Sequence, residues 1–205
     1  VIIMDNLILI GAGGHAKACI DIIEQNNTYK IAGIINNDTS SQVIELGYKI
    51  IGTDNDLENL RNEFDCALIA IGQIKTSKIR MELYELLKSL HFKLPIIESP
   101  LSYVSQHAQI GEGTIIMHGA IINANAAIGK NCIINNKSLI EHDVIIGDHC
   151  HISTGAILNG GVSVGYGSFI GSGVITKQSI SIGNNCIVGA GSVLKYDIDS
   201  NKIIK

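Results

Sequence analysis

An aliphatic residue recurs at every sixth position over much of the second half of the chain. Between Val104 and Leu194 only Thr176 interrupts this series of Ile, Leu and Val residues. A small side chain follows four residues later in most repeats, as Ala108 and Ala120 do. A period of six fits neither an α-helix, with about 3.6 residues per turn, nor a long strand, in which side chains alternate. It is typical of a hexapeptide solenoid, in which each repeat supplies one short strand and one corner.

A second period, of 18 residues, indicates how the repeats are arranged. The dipeptide Ile-Gly recurs at 110–111, 128–129, 146–147, 164–165 and 182–183. Three hexapeptides therefore complete one coil, which predicts a triangular prism of about five coils stacked about 4.8 Å apart. We expect the glycines of these pairs to have a positive φ, because glycine reaches that conformation without steric cost. Cys132, Cys150 and Cys186 share one inward column, where they are predicted to be small buried residues.

The first hundred residues have a different pattern, in which short apolar strands alternate with helical stretches. Strands are predicted at Leu7–Ile10, Ile31–Ile35, Leu46–Ile51 and Cys66–Ile71, with one helix ending near Asn26 and another over Ser77–His91. The apolar residues of the second helix are spaced to form one face: Ile79, Leu83, Leu86, Leu87 and Leu90. Such alternation is typical of a parallel α/β sheet. With Pro95 and Pro100 at the change of pattern, we predict a Rossmann-like α/β domain over 1–98 and an all-β solenoid over 99–205.

Composition excludes several classes of protein. The chain has 205 residues, of which 46% are hydrophobic and 17% charged, enough to build a buried core. The net charge is −4 and the basic residues are scattered, so no nucleic-acid partner is expected. The apolar runs are far shorter than the roughly 20 residues of a membrane span, so no membrane insertion is expected. An odd number of cysteines, five, indicates reduced thiols and a cytoplasmic location.

A glycine-rich loop lies between the first predicted strand and the first predicted helix. Gly11-x-Gly13-x-x-Ala16 matches the dinucleotide fingerprint, whose glycines let the backbone approach a diphosphate at a helix N-terminus. A strand-to-helix turn without a ligand is the alternative. Asn36 stands where an NAD-binding protein carries an acidic residue, which disfavours an NAD-linked oxidoreductase and favours another nucleotide ligand.

The triplet Glu141-His142-Asp143 is the main candidate for catalysis. Because Ile140 and Val144 belong to the inward columns, His142 and Asp143 are predicted to project outward from the prism. An imidazole beside a carboxylate can act as a general base, with the acid fixing its tautomer. A solvated polar corner is the alternative. A zinc site built on the nearby histidines lacks a convincing fourth ligand, so no metal is predicted.

Several motifs together resemble one family of enzymes. They are Gly11-Ala-Gly-Gly-His-Ala-Lys17, Ile69-Ala-Ile-Gly72, Ser99-Pro100, Ile140-Glu-His-Asp143 and His151-Ile-Ser-Thr-Gly-Ala156. They span nearly the whole chain and resemble the hexapeptide-repeat sugar acetyltransferases, which include bacterial nucleotide-amino-sugar N-acetyltransferases and sialic acid O-acetyltransferases. The resemblance implies a left-handed parallel β-helix, a homotrimer, and acetyl-CoA as a co-substrate rather than a permanently bound cofactor.

The resemblance also implies roles for individual residues. His142 would be the general base and Asp143 its orienting partner, while His151 and Gly160 would contact acetyl-CoA near the thioester. The nucleotide sugar would bind the N-terminal domain at Gly11, Gly13, Gly14, His15, Asn36, Asn37 and Gly72. The implied reaction transfers an acetyl group to the 4-amino group of a nucleotide-linked 4-amino-4,6-dideoxy sugar, for surface glycan biosynthesis.

Two segments depart from the pattern of the family. Asn36-Asn37 stands where the family often carries Asp-Asp, which leaves the nucleotide and the sugar open. The segment Asp197–Lys205 stands where the family usually has Gly-x-Pro-Ala-Lys near CoA, so CoA is expected to bind more weakly or through other residues. The sequence does not separate an amine from a hydroxyl acceptor. Sialic acid O-acetylation therefore stays open, as does a non-catalytic solenoid scaffold.

The outward residues of the prism bear on its assembly. Ile115, Ile121, Ile133, Ile145 and Ile157 alternate with inward residues and would form a continuous apolar patch on a monomer. Closed rotational symmetry is the usual way to bury such a surface, so this pattern also favours a trimer.

Overall fold

The computed structural model describes residues 4–38 and 46–205. The chain divides into two compact units. One comprises the residues up to Gly72 together with Glu82–Pro95, and the other comprises Gln73–Met81 together with Ile96–Lys205. The first unit is an α/β domain and the second is a parallel β-helix, which confirms the predicted fold class. The sequence pattern gives no sign that Gln73–Met81 belongs to the β-helical unit.

The N-terminal unit is built on a parallel sheet. Its strands are β1 (Asp5–Ile10), β2 (Tyr29–Ile35), β3 (Ile50–Gly52) and β4 (Cys66–Ile69), and their order is β3-β2-β1-β4. The described helices are α1 (Gly14–Asn26), α2 (Leu57–Leu60) and α3 (Lys78–Ser89), with a 3₁₀ turn at Asp54–Asp56. Because the strands are parallel, the segments that follow β1, β2 and β4 emerge at the same edge of the sheet.

Two details of these elements differ from the sequence prediction. The third strand begins at Ile50, so most of the predicted strand Leu46–Ile51 lies outside it. In α3, Leu83 is buried, but Ile79 and Leu86 are exposed. Leu87 is also buried and Leu90 packs against the same core, so the spacing predicts the helix and most of its buried face.

The second unit is a left-handed parallel β-helix with three flat faces. Face I consists of Ile97–Glu98, Ile115–Ile116, Ile133–Ile134, His151–Ile152, Phe169–Ile170, Ile187–Val188 and Ile203–Ile204. Face II consists of Tyr103–Val104, Ile121–Ile122, Leu139–Ile140, Ile157–Leu158, Ile175–Thr176 and Val193–Leu194. Face III consists of Gln109–Ile110, Ala127–Ile128, Ile145–Ile146, Ser163–Val164 and Ser181–Ile182. Successive coils pair residues 18 positions apart, as Ile133 pairs with His151.

The inward columns form the core of the prism. Ile116 and its equivalents in the following coils are buried against one another. Cys132, Cys150 and Cys186 are fully buried in the same cluster, which confirms their predicted place. Burial raises the pKa of Cys132 to about 12, so this thiol stays neutral and behaves as a small apolar residue.

The glycines of the Ile-Gly pairs do not have the positive φ expected of them. The left-handed residues instead recur at every sixth position from Gly113 to Gly191, two residues after each Ile-Gly pair and at the other corners. A Cβ at Gly111 would lie 2.5 Å from the carbonyl carbon of Gly129 in the next coil. Glycine is needed there because the backbones of successive coils approach closely, and not because of φ.

The outward isoleucines do not form the continuous exposed patch that the sequence predicts. Ile121 and Ile145 are exposed and Ile157 is partly buried, but Ile115 and Ile133 on face I are fully buried. Among the strand residues of the β-helix, the exposed large apolar side chains lie mostly on face II, with Ile145 on face III and Ile203 in the last strand of face I.

The segment Gln73–Met81 accounts for part of this burial, because it packs along face I. The Nε2 of Gln73 donates to the carbonyl oxygen of His149 over 3.0 Å. The Nη2 of Arg80, which is fully buried, donates to Oδ1 of Asn131 over 2.6 Å. A segment distant in sequence thus covers a face that the repeat pattern alone leaves open.

None of the described helices is long and apolar enough to cross a membrane.

Candidate active site

His142 and Asp143 occupy a corner of the prism between face II and face III, here called the His142 corner. Nδ1 of His142 lies 2.7 Å from Oδ2 of Asp143, and the side chains are 66% and 54% exposed. Because a carboxylate only accepts, Nδ1 carries the proton and Nε2 of the neutral ring keeps a lone pair. The corner therefore presents a proton acceptor to solvent.

The electrostatics of the two groups reinforce each other. The hydrogen bond to Asp143 is the main cause that raises the pKa of His142, and the charges of Asp143 and Glu141 add to it. A hydrogen bond from Asn125 is the main cause that lowers the pKa of Asp143, followed by the bond to His142. Asp143 is thus ionised at neutral pH, as an orienting carboxylate must be.

Gly160 lies under the imidazole ring, one coil further along the β-helix. A Cβ at this position would lie 2.7 Å from Cε1 and from Nε2 of His142. A side chain at position 160 would therefore push the ring away. Gly160 therefore belongs to the His142 corner, where the absence of a side chain leaves room for the imidazole ring.

His151 lies on face I and is not brought to the His142 corner of this chain. It is buried, its Nδ1 donates to the carbonyl oxygen of Gln73 over 2.6 Å, and its Nε2 accepts from Asn135 over 3.0 Å. Burial lowers the pKa of His151 to about 4, so the ring is neutral. The role near the thioester that the resemblance implies for His151 stays a prediction.

The glycine loop of the N-terminal unit contains two kinds of glycine. Gly11 has a φ of +109°, and a Cβ there would lie 2.5 Å from Cγ1 of Ile71, so this glycine is required by the fold. A Cβ at Gly13 or at Gly14 would meet no protein atom within 4 Å. Gly13 and Gly14 border open space at the N-terminus of α1, where backbone N–H groups favour an anion.

The other candidate residues of this unit lie at the same edge of the sheet. Gly72 follows β4 closely, and a Cβ there would lie 3.5 Å from Cβ of His15. Asn37 and Asp54 are joined by two hydrogen bonds, in which the amide of Asn37 donates over 2.7 Å and accepts over 3.1 Å. The Nδ2 of Asn36 donates to the carbonyl oxygen of Asp38 over 2.8 Å.

Two polar residues of the His142 corner escaped the sequence reasoning. Asn125 donates to Asp143 over 2.6 Å, and Asn123 donates to Glu141 over 3.0 Å. Both pairs are 18 residues apart, so the coil period could have found them. Across residues 4–38 and 46–205, no group of three His, Cys, Asp or Glu side chains is placed to hold a metal ion.

Comparison with known families covers both units. Residues 6–87 match the PglD N-terminal domain. Residues 107–142 and 128–160 match the bacterial transferase hexapeptide (six repeats), and residues 161–196 match the hexapeptide repeat of succinyl-transferase. A comparison with curated protein sequences found no significant match.

Solved structures extend the likeness to nearly the whole chain. A point mutant of perosamine N-acetyltransferase from Caulobacter crescentus, in complex with CoA and GDP-perosamine, is 32% identical with a TM-score of 0.92, over 98% of this chain and 93% of that chain. The chain belongs to the hexapeptide-repeat sugar acetyltransferases. Another member, the acetyltransferase domain of PglB from Neisseria gonorrhoeae FA1090 in complex with acetyl coenzyme A, is 32% identical with a TM-score of 0.87, over 96% and 93% of the two chains. WeeI from Acinetobacter baumannii AYE, 24% identical over 99% and 97% of the chains, shares the fold of this family with a TM-score of 0.87.

Proposed function

We propose that the protein transfers the acetyl group of acetyl-CoA to the 4-amino group of a nucleotide-linked 4-amino-4,6-dideoxy sugar. The observation that carries the proposal is the exposed His142–Asp143 pair on the β-helix of a sugar acetyltransferase. The likeness to an enzyme solved with both CoA and GDP-perosamine supports the two substrates. A cytoplasmic location and a role in surface glycan biosynthesis accord with these substrates.

In the proposed reaction, the acceptor amine attacks the carbonyl carbon of the thioester. The new C–N bond forms and the C–S bond breaks, so CoA leaves as a thiolate that is protonated in turn. Nε2 of His142 accepts the proton that the amine loses, and Asp143 stabilises the resulting imidazolium through Nδ1–H. No covalent acetyl-enzyme is required, since all five cysteines are buried.

The backbone of the same corner is proposed to stabilise the negative charge that develops on the thioester oxygen. The N–H of Gly160 donates no hydrogen bond to any residue of the described ranges, and the His142 ring lies against this residue. We assign this N–H as a donor to the thioester oxygen in the transition state. A backbone donor held rigidly by the β-helix suits this role because it needs no reorganisation during the reaction.

The N-terminal unit is proposed to bind the nucleotide sugar. The open space beside Gly13 and Gly14 at the start of α1 would take the diphosphate. Asn36 and Asn37, after β2, would lie near the nucleoside, with Oδ1 of Asn36 available to a base or ribose donor. His15 and Gly72 would complete the edge of the site.

We also propose that the protein acts as a homotrimer. Face II presents a row of apolar side chains, of which Tyr103, Ile121, Ile175 and Val193 are exposed in the single chain. A row of this kind on a rigid, flat sheet is suited to burial against further copies of the chain.

The function can be tested by following CoA release from acetyl-CoA with a panel of acceptors. The panel contains GDP-perosamine, a UDP-linked 4-amino-4,6-dideoxy sugar, and free sialic acid, with His142→Ala as the control enzyme. We expect release with a nucleotide-linked amino sugar and a loss of release in the control. Release with sialic acid alone would replace the proposal with O-acetylation, and no release with any acceptor would favour a scaffold.

A further inference from the structure

Asn125 completes a chain of hydrogen bonds that ends at His142. Its Nδ2 donates to Oδ1 of Asp143 over 2.6 Å, while Oδ2 of the same carboxylate lies 2.7 Å from Nδ1 of His142. Each carboxylate oxygen has its own partner, so rotation of the carboxylate is restrained from both sides. We propose that Asn125 is a positioning residue, which holds Asp143 so that the His142 imidazole keeps one orientation and one tautomer. The inference rests on the proposed function.

The contact is a direct result of the way the coils stack. Asn125 and Asp143 are 18 residues apart, and both have a left-handed backbone with a φ of 62°. The N–H of Asp143 donates to the carbonyl oxygen of Ala124, which aligns the two corners. Equivalent residues of neighbouring strands lie about 4.8 Å apart, a distance that an amide and a carboxylate span with one hydrogen bond. Asparagine is suited to this position because it tolerates the left-handed conformation better than most residues.

The exposure of the pair explains why such a restraint matters. With Asp143 54% exposed, water competes for its oxygens, and an unrestrained carboxylate would adopt several orientations. The hydrogen bond from Asn125 is also the main cause that lowers the pKa of Asp143. The amide therefore acts on both the orientation and the charge of the group that holds His142.

Few other groups can act on the imidazole from the neighbouring coils. Glu141, on the same coil, accepts a hydrogen bond from Asn123 and adds a smaller electrostatic contribution to the raised pKa of His142. In the next coil, Gly160 and Gly161 bring no side chain to the corner. A change of charge at position 125 should therefore shift the pKa of His142, which a titration measures.

Two substitutions separate positioning from a merely structural role. Asn125→Gly keeps access to the left-handed backbone and removes the donor. Asn125→Asp keeps the shape and places a second carboxylate beside Asp143. Lys137→Gly is the matched control, because Lys137 is an exposed residue with a φ of 57° at another corner.

We expect Asn125→Gly to lower kcat by about three- to tenfold, as for the loss of one hydrogen bond to a charged group, with the acceptor KM changed less than twofold. The acid limb of the kcat profile should move to lower pH, because a less well held Asp143 raises the pKa of His142 less. Asn125→Asp should also lower kcat but should move the acid limb to higher pH, since it adds negative charge. Lys137→Gly should move neither quantity.

The opposite displacement of the two acid limbs is the decisive observation. The same displacement should be seen when the imidazole of His142 is titrated by NMR in histidine-labelled protein, with His142→Ala identifying its signal. A wild-type kcat and an unmoved titration in both Asn125 variants would overturn the positioning role while leaving the function intact. An active His142→Ala enzyme would instead overturn the proposed base itself. If Asn125→Gly fails to fold, the kcat of Asn125→Asp decides, because a wild-type kcat without the amide donor would overturn the positioning role.

Discussion

Replacing Gly160 with Ala should slow acetyl transfer by displacing the His142 ring while the β-helix stays folded. A Cβ at position 160 would lie 2.7 Å from Cε1 and Nε2 of His142. Because non-bonded carbon atoms pack at about 3.5 Å or more, the ring has to retreat by roughly 0.8 Å. The imidazole is 66% exposed, so it can move into solvent without disturbing the core.

The size of the effect follows from that displacement. A misplacement of about 1 Å at a reacting group can cost about 100-fold in rate, so we expect kcat to fall by about 10- to 100-fold. The backbone should not resist the change, because Gly160 has no positive φ. The equivalent positions two coils before and one coil after Gly160 carry Ala124 and Gln178, so the corner accepts side chains in other coils. The melting temperature should stay within roughly 2 °C of wild type.

The assay compares steady-state CoA release for wild type, Gly160→Ala, His142→Ala and the double variant. If the added methyl group acts only through the imidazole, the double variant should be no slower than His142→Ala alone. A further decrease in the double variant would mean that the methyl group obstructs the thioester or the oxyanion directly. A kcat for Gly160→Ala within twofold of wild type would refute the reasoning.

Four further outcomes are expected. His142→Ala should lower kcat by about 10²–10⁴-fold, and Asp143→Asn by less; CoA release near the wild-type rate would remove His142 from the mechanism. Asp143 raises the pKa of His142 above 6.5, so the base becomes protonated, and kcat/KM should decline, as the pH falls through a value above 6.5. A decline that begins only well below pH 6.5 would contradict this. Gly13→Val should raise the acceptor KM strongly, because a Cβ at this position meets no protein atom within 4 Å and would enter the space proposed for the diphosphate. The Kd for acetyl-CoA should stay within about twofold, since distant sites behave nearly independently, and an unchanged KM in a variant with a wild-type melt would reduce the loop to a turn. Light scattering should give a mass three times the 21.9 kDa of one chain, and a mass near that of one chain would exclude the trimer.

The hexapeptide period predicted the prism and its inward columns because coils of equal length can stack in only one register. The same reasoning failed for Gly111, where the periodic glycine reflects a close approach between coils rather than a positive φ. It also failed for Ile115 and Ile133, since the burial of face I involves contacts that no repeat pattern contains. Gln73–Met81 packs there, and its place depends on tertiary contacts far apart in sequence.

The site divides in the same way between what the period predicts and what it cannot. In a β-helix of 18-residue coils, the neighbours of a corner residue stand 18 positions before and after it, so Asn125 and Gly160 follow from Asp143 and His142 by counting. His151 does not follow in this way, because it stands half a coil from His142 and lies on another face of the chain. Substitutions 18 residues from His142 or Asp143 should therefore change the rate of acetyl transfer. They act through contacts between successive coils, which the sequence specifies once its period is known.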